Sequence, residues 1–297
     1  MGGRRTVRIS IREDITGNDL DKLFGLCEGL GVKDVLILLG ETEDDELYDN
    51  EKYRVCEKSF KERVKALNSG GLNVSAVQFP LSSSEVFLGE APDELDGMCE
   101  SIRIIADAGI KTACIHPWPE TTGNRTEDER RWNKFIQVYS RVIKTAENNS
   151  LNVATHGHRI RKYLLNSCEE YKRLFNALPS PVSGFTFCMG CLYYIGDDLK
   201  KCIEELANRI FLVHVRDLIK KNIGTQIKEV ALGEGEVDIA GAIETLNKVG
   251  YDGLLFVEHI PSIPWEGYRD LLAHVQAIGY IKALLNKNKN EGTFKEN

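Results

Sequence analysis

The sequence predicts a (β/α)8 barrel over residues 1–286, followed by a disordered polar tail at 287–297, and three observations carry that prediction. Eight short β-rich apolar segments alternate with helical patterns along the chain. The turns that bring each helix back to the next strand are brief, whereas the connections leaving the strands are long. Of six histidines, five (116, 156, 158, 214 and 259) lie at or within two residues of the carboxyl end of such a segment. In a barrel of parallel strands those ends share one mouth, which is where such folds carry their chemistry.

The strands are expected at Val7 to Ile11, Val35 to Leu39, Asn73 to Phe79, Thr112 to His116, Asn152 to His156, Gly184 to Cys188, Ile210 to Val215 and Gly253 to Glu258. Two helix starts have the capping-box form, Thr126 to Glu129 and Ser167 to Glu170, in which a hydroxyl and an acid satisfy each other's free backbone donors. Glycine or asparagine at 29–31, 70–71, 109, 148–149 and 250 suits the left-handed cap that follows a helix. The long connections at 40–50, 80–92, 117–125, 189–196, 216–237 and 260–266 then gather on one rim. A doubly wound open sheet is the competing architecture. Against it, no G-x-G-x-x-G follows the first strand, and GEGEV at 233–237 lacks the strand spacing of a dinucleotide site. That segment supplies turn glycines, with Asp238 as a helix cap.

A chain of 297 residues with 42% hydrophobic and 28% charged residues suits one large α/β domain. A net charge of -7, with no basic block interleaved with aromatics, offers no electrostatic footprint for nucleic acid. The opening MGGRRTVRISIRED lacks the apolar stretch of a signal peptide, and no later run approaches the roughly 20 apolar residues of a membrane helix. A cytoplasmic location without a membrane partner is therefore expected. The eight cysteines are scattered without disulfide-framework spacing and read mostly as small buried hydrophobes. His274 reads as structural, and the acidic run at 41–51 as a solvated loop or a lid.

The segment GLLFVEHIP at 253–261 poses the functional question, because an apolar run suited to a buried strand closes on an acid and an imidazole. A buried charged pair costs several kcal/mol unless a metal, an ion or a substrate satisfies it. His156, Cys188, His214 and Glu258 end four successive strands and together offer two imidazoles, a thiolate and a carboxylate. Such mixed donors disfavour calcium and magnesium and suit Zn, Mn, Fe, Co or Ni. Strand alternation lets His156 and His158 face the mouth together, and likewise His214 and Arg216, whose guanidinium can clamp an anion. Glu258 and His259 are adjacent, so both reach the mouth only if the chain turns there, and Pro261 favours that turn. Cys188 and Cys191 form a lone C-x-x-C, read as one ligand or packed thiol and one core residue.

GFTFCMGCL at 184–192, NRIFLVHVRDL at 208–218 and FVEH at 256–259 resemble the mannonate dehydratases, metal-dependent barrels of the xylose-isomerase-like superfamily. In that family the last four strands end in a metal-binding His, the Cys of T-F-C-x-G, the His of H-x-R and an Asp-His pair. The resemblance implies one divalent metal on His156, Cys188, His214 and Glu258, manganese first, with Zn, Fe, Co or Ni as alternatives. It also implies His259 as catalytic acid or base assisted by Tyr268, with Arg216, His158 and His116 toward a small anionic sugar substrate. The implied reaction converts a sugar acid such as D-mannonate to 2-keto-3-deoxygluconate and water. This sequence departs from the family in having Glu258 for Asp, HGHR after the fifth strand and His116 where Asn is expected. A metal-dependent sugar or sugar-phosphate isomerase or epimerase, and a non-catalytic metal- or sugar-binding barrel, stand as alternatives. A homo-oligomer is compatible with the superfamily.

Overall fold

The computed structural model describes residues 7–41, 45–221, 227–261, 263 and 270–293, and the side chains among these as far as residue 287. Eight parallel strands close into a barrel: β1 (Arg8–Arg12), β2 (Asp34–Leu38), β3 (Asn73–Gln78), β4 (Thr112–Ile115), β5 (Asn152–Thr155), β6 (Ser183–Cys188), β7 (Ile210–Val215) and β8 (Leu254–Val257). Each pairs with the next in chain order, and β8 closes the ring on β1 with Leu254 opposite Arg8 and Phe256 opposite Ser10. The expected (β/α)8 architecture is the one observed. An open doubly wound sheet is excluded by the closure.

Ten helices connect the described strands: α1 (Leu20–Leu30), α2 (Glu57–Ser69), α3 (Ser84–Leu88), α4 (Pro92–Asp107), α5 (Arg125–Asn148), α6 (Cys168–Ala177), α7 (Met189–Ile195), α8 (Leu199–Leu206), α9 (Ile239–Lys248) and α10 (Leu271–Thr293). Their apolar stripes pack on the outside of the barrel around residues such as Phe60, Phe135, Tyr139 and Phe185. The barrel interior is filled separately by Leu36, Ala76, Cys114, Ala154, Leu212, Leu254 and Phe256. Among the described residues, no helix is long and apolar enough to cross a membrane.

Several local expectations shift. The cap of α5 is Asn124 rather than Thr126, because the Asn124 carboxamide oxygen accepts from both the Thr126 and Glu127 backbone N–H groups. Ser167 does cap α6 by position, but its hydroxyl donates to the Glu170 carboxylate, while the Cys168 N–H is taken by Asp197. After α5 the left-handed residue is Ser150, since the Asn149 side chain donates to the Thr145 carbonyl and holds its own residue at the helix end. Asp238 caps α9 as expected.

Two long connections contain hairpins that the loop reading missed, Tyr48–Asp49 with Arg54–Val55 and Asp217–Lys220 with Ile227–Val230. The second is anchored by Asp217, whose carboxylate accepts from the N–H groups of Leu218, Gly233, Gly235 and Val237. A Cβ at Gly235 would lie 2.0 Å from that carboxylate, so only glycine fits this position of the GEGEV turn. At the other end of the chain, α10 runs on to Thr293, into the stretch expected as tail, because lengthening a formed helix fixes one residue per added hydrogen bond.

The cysteine expectation needs a correction. Cys168 and Cys202 form a disulfide that ties α6 to α8, a pairing that a spacing of 34 residues does not announce. The other described cysteines are free, and all but Cys56 are buried. Closing a loop of that length stabilises by about 3 to 4 kcal/mol in the chain-entropy account. Cys168→Ala is therefore expected to lower the urea-unfolding stability of the oxidised protein by about that amount, and reductant should do the same to the wild type. Identical unfolding midpoints with and without reductant would show that the bond does not form.

Candidate metal centre

A two-residue period builds the mouth. Cys114, Ala154, Thr186, Leu212 and Phe256 lie in the barrel interior, and two residues further along the same strands come His116, His156, Cys188, His214 and Glu258. The register sets Cys188 directly opposite His214, while His214 stands opposite Phe256, two residues before Glu258. The reactive side chains thus stand on an apolar floor. Strand pairing continues just far enough to hold them: the His156 N–H donates to Ile115 O at 2.7 Å, and the Glu258 N–H to Val215 O at 3.1 Å.

One donor atom from each of His156, Cys188, His214 and Glu258 lies within 4.8 Å of all the others. Donors about 2.0 to 2.3 Å from a shared ion are at most about 4.6 Å apart, so little closing is needed. The His156 ring sits between those of His116 and His214, with centroids 4.9 and 5.0 Å away. All four ring nitrogens of His156 and His214 are buried without a hydrogen-bond partner. His214 Nδ1 comes within 3.1 Å of Glu258 Oε1, but without hydrogen-bond alignment. Each unpaired buried polar atom costs about 1 to 3 kcal/mol, and a cation that takes the one lone pair each neutral ring offers removes that cost at one nitrogen of each imidazole. The donor set therefore fits a divalent transition ion.

The electrostatics agree. Burial raises the Glu258 carboxyl, but His214, His156 and His259 outweigh it and hold the group well below the ordinary carboxylate range. The Cys188 thiol is pushed up, first by burial and then by sharing its proton with Cys191. Cys191 is lowered by that same hydrogen bond and by Arg216, with burial opposing. Ligation by a cation reverses the order at Cys188, because the thiolate is the ligating form.

The other expected residues take different places. His116 is buried beside His156, and burial followed by that neighbour keeps it neutral. His158 turns away from the ligand set: its Nδ1 accepts from Ile160 N–H, its ring lies edge-on to Trp118 at 4.5 Å, and burial lowers its pKa to about 4. Trp118, which sequence reasoning missed, donates to the His156 carbonyl and meets the His116 ring edge-on. Its signal was available in Pro-Trp-Pro directly after His116. Arg216, expected to present a free fork to substrate, has a side chain only 2% exposed. Its Nη1 is 3.7 Å from both Glu258 Oε2 and Cys191 Sγ, and its Nη2 pairs with Glu229.

His259 turns the chain with φ of 50°, a left-handed conformation that a non-glycine residue holds only at some energetic cost. The turn that Pro261 suggested is thus made at His259 itself. It brings the imidazole to Glu258, with Nε2 3.9 Å from Oε1 and the side chain 54% exposed. Both residues line a cavity of about 340 Å3 together with Arg12, Glu41, Gln78 and His274. A larger cavity of about 680 Å3 opens at the amino ends of the strands among Arg8, Lys111 and Asn152, away from these groups, so volume alone does not mark the site. Tyr268 lies outside the described residues, as do residues 42–44 of the acidic run. Asp45 in that run accepts from Gly40 and Leu47 N–H groups.

The stretch that carries the donor set and His259 also carries the likeness to known proteins: the profile of the D-mannonate dehydratase (UxuA) family matches residues 126–293. The chain belongs to that family. Within it, the mannonate dehydratase of Enterococcus faecalis is 30% identical over 168 residues, covering 50% of this chain and 45% of that protein. The inosose dehydratase of Clostridium perfringens is 21% identical over 218 residues, covering 69% of this chain and 72% of that one. The crystal structure of mannonate dehydratase from Streptococcus suis serotype 2 superposes with a TM-score of 0.78 at 18% identity, covering 96% of both chains, and so shares the fold.

His274, beside this cavity, is a useful reporter of the fold. Burial holds its imidazole below the ordinary value of 6.5, with the Asp270 carbonyl opposing. The folded state favours the neutral ring, so this contribution is present above about pH 6.5 and is lost as pH falls below it. His274→Gln should lose less stability than the wild type between about pH 7.5 and 5.5, read as urea-unfolding midpoints. Parallel losses in the two proteins would show that His274 does not titrate against folding.

Proposed function

We propose that the protein is a divalent-metal-dependent dehydratase of a sugar acid, with D-mannonate to 2-keto-3-deoxygluconate and water as the first reaction to test. The observation that carries this reading is the convergence of His156, Cys188, His214 and Glu258 within 4.8 Å, with the His259 imidazole alongside, in the stretch matched by the family. Manganese is the proposed ion, and zinc, iron, cobalt and nickel suit the same donors. A divalent ion there supplies Lewis acidity, which acidifies the proton next to a bound carboxylate.

The chain's own residues do the rest. Burial lowers the His259 imidazole, with Glu258 partly restoring it, so the ring stands neutral near pH 7 and can take a proton. Its half-exposed position gives it access to a molecule in the cavity, where it removes the C2 proton or returns one to the departing C3 hydroxyl. Gln78, Arg12 and Glu41 offer that molecule's remaining hydroxyls polar partners across the same cavity. His116 and Trp118 close the far side of the His156 ring against water. Loss of water from C2 and C3 leaves an enol that becomes the 2-keto product.

Purified wild-type protein should carry about one equivalent of metal, and His156→Ala and Cys188→Ala should carry almost none by elemental analysis. His259→Ala should keep its metal while losing about a hundredfold to ten-thousandfold in turnover, the usual contribution of a positioned acid or base. NMR of the manganese-loaded enzyme with a panel of sugar acids should show a 2-keto-3-deoxy product. No product from any member would remove the dehydratase reading, and deuterium exchange at C2 without loss of water would move the protein among the isomerases.

A further inference from the structure

We propose that Glu229, on the hairpin between β7 and α9, is a positioning residue of the metal centre that acts through Arg216. The inference rests on the centre proposed above and goes beyond its four ligands. Among the described residues, Arg216 is the arginine buried beside these groups. Its stem crosses Gly190, where a Cβ would come within 2.4 Å of Arg216 Cγ, so glycine in the C-M-G-C segment is what admits it. The next residue, Asp217, is pinned by four backbone N–H groups, which fixes the main chain at the root of the hairpin. The antiparallel register places Leu218 opposite Glu229 and so delivers the Glu229 carboxylate to Arg216 Nη2.

The consequence is a division of the Glu258 carboxylate. Arg216 Nη1 stands 3.7 Å from Oε2, which also accepts from the Cys188 thiol at 3.7 Å, whereas Oε1 faces His214 Nδ1 at 3.1 Å. The guanidinium therefore occupies the side of one oxygen and leaves the other turned toward the imidazoles. A cation so close to a metal site also repels the ion it helps to organise. Thiolate and carboxylate balance a divalent ion, and Glu229 balances Arg216, so the assembled centre is neutral only with Glu229 in place. Without that partner, the Arg216 charge is uncompensated and its fork is free to draw Glu258 away from the imidazoles.

The test measures binding of Co2+ alone to metal-stripped protein by calorimetry, together with the thiolate-to-cobalt absorption band, in wild type, Glu229→Gln, Arg216→Gln and the double variant. Glu229→Gln should weaken binding about tenfold or more, the scale of partners that orient metal ligands, and should alter the band. In the Arg216→Gln background the same change should add less than about twofold, because residues acting through one another are not additive. Unchanged affinity and band in Glu229→Gln would overturn the proposal, and so would losses that multiply independently in the double variant. A Glu229→Gln chain that failed to fold would assign the residue to holding the hairpin and overturn it as well. A wild type that bound no cobalt would instead remove the metal centre itself, a failure distinguishable from this one.

Discussion

Two imidazoles with no hydrogen-bond partner, held against a carboxylate and a thiol on an apolar floor, form the arrangement on which the rest of this molecule depends. Both rings are buried and stand against one another and against His116, so no protein group supplies those nitrogens with a hydrogen bond. A barrel can tolerate such an arrangement because its cost is concentrated at one point while hydrophobic burial is spread over the whole ring of strands and helices. The interior residues just below, small at Ala76, Cys114 and Ala154 and larger at Leu212 and Phe256, set the depth at which the imidazoles stand.

The connections at the carboxyl ends do more than decorate the barrel. The segment after β4 brings Trp118 over the histidines, the turn after β8 swings His259 beside Glu258, and the hairpin after β7 carries Glu229 to Arg216. Polar contacts tie two of them, Trp118 to the His156 carbonyl and Glu229 to Arg216. Asp217 gathering four backbone donors is the clearest case, and it explains why glycine stands at 235. Membership of the D-mannonate dehydratase family is consistent with this distribution, since the matched region covers β5 to β8 and their connections.

The barrel was legible because strand and helix periodicities differ and because glycine marks the helix ends, as at Gly31, Gly109 and Gly250. The four donors were legible for a related reason: a residue that ends an apolar strand is placed by the strand itself. Trp118 and Glu229 were harder to see, one lying in a loop and the other in a short hairpin with no apolar period. The Cys168–Cys202 pairing was invisible, because it depends on how α6 and α8 pack together rather than on any spacing.

By itself the sequence determined the number and direction of the barrel strands and the alternation that turns His156, Cys188, His214 and Glu258 to one face. These follow from local backbone geometry, which repeats every two residues whatever the surroundings. Only the tertiary structure decided that Arg216 lies behind the carboxylate rather than in the open mouth, that His158 packs edge-on to Trp118, and that His259 adopts a left-handed turn. Those outcomes depend on partners distant in the chain, such as Glu229, Gly190 and Trp118, and contact between distant residues exists only once the ring has closed.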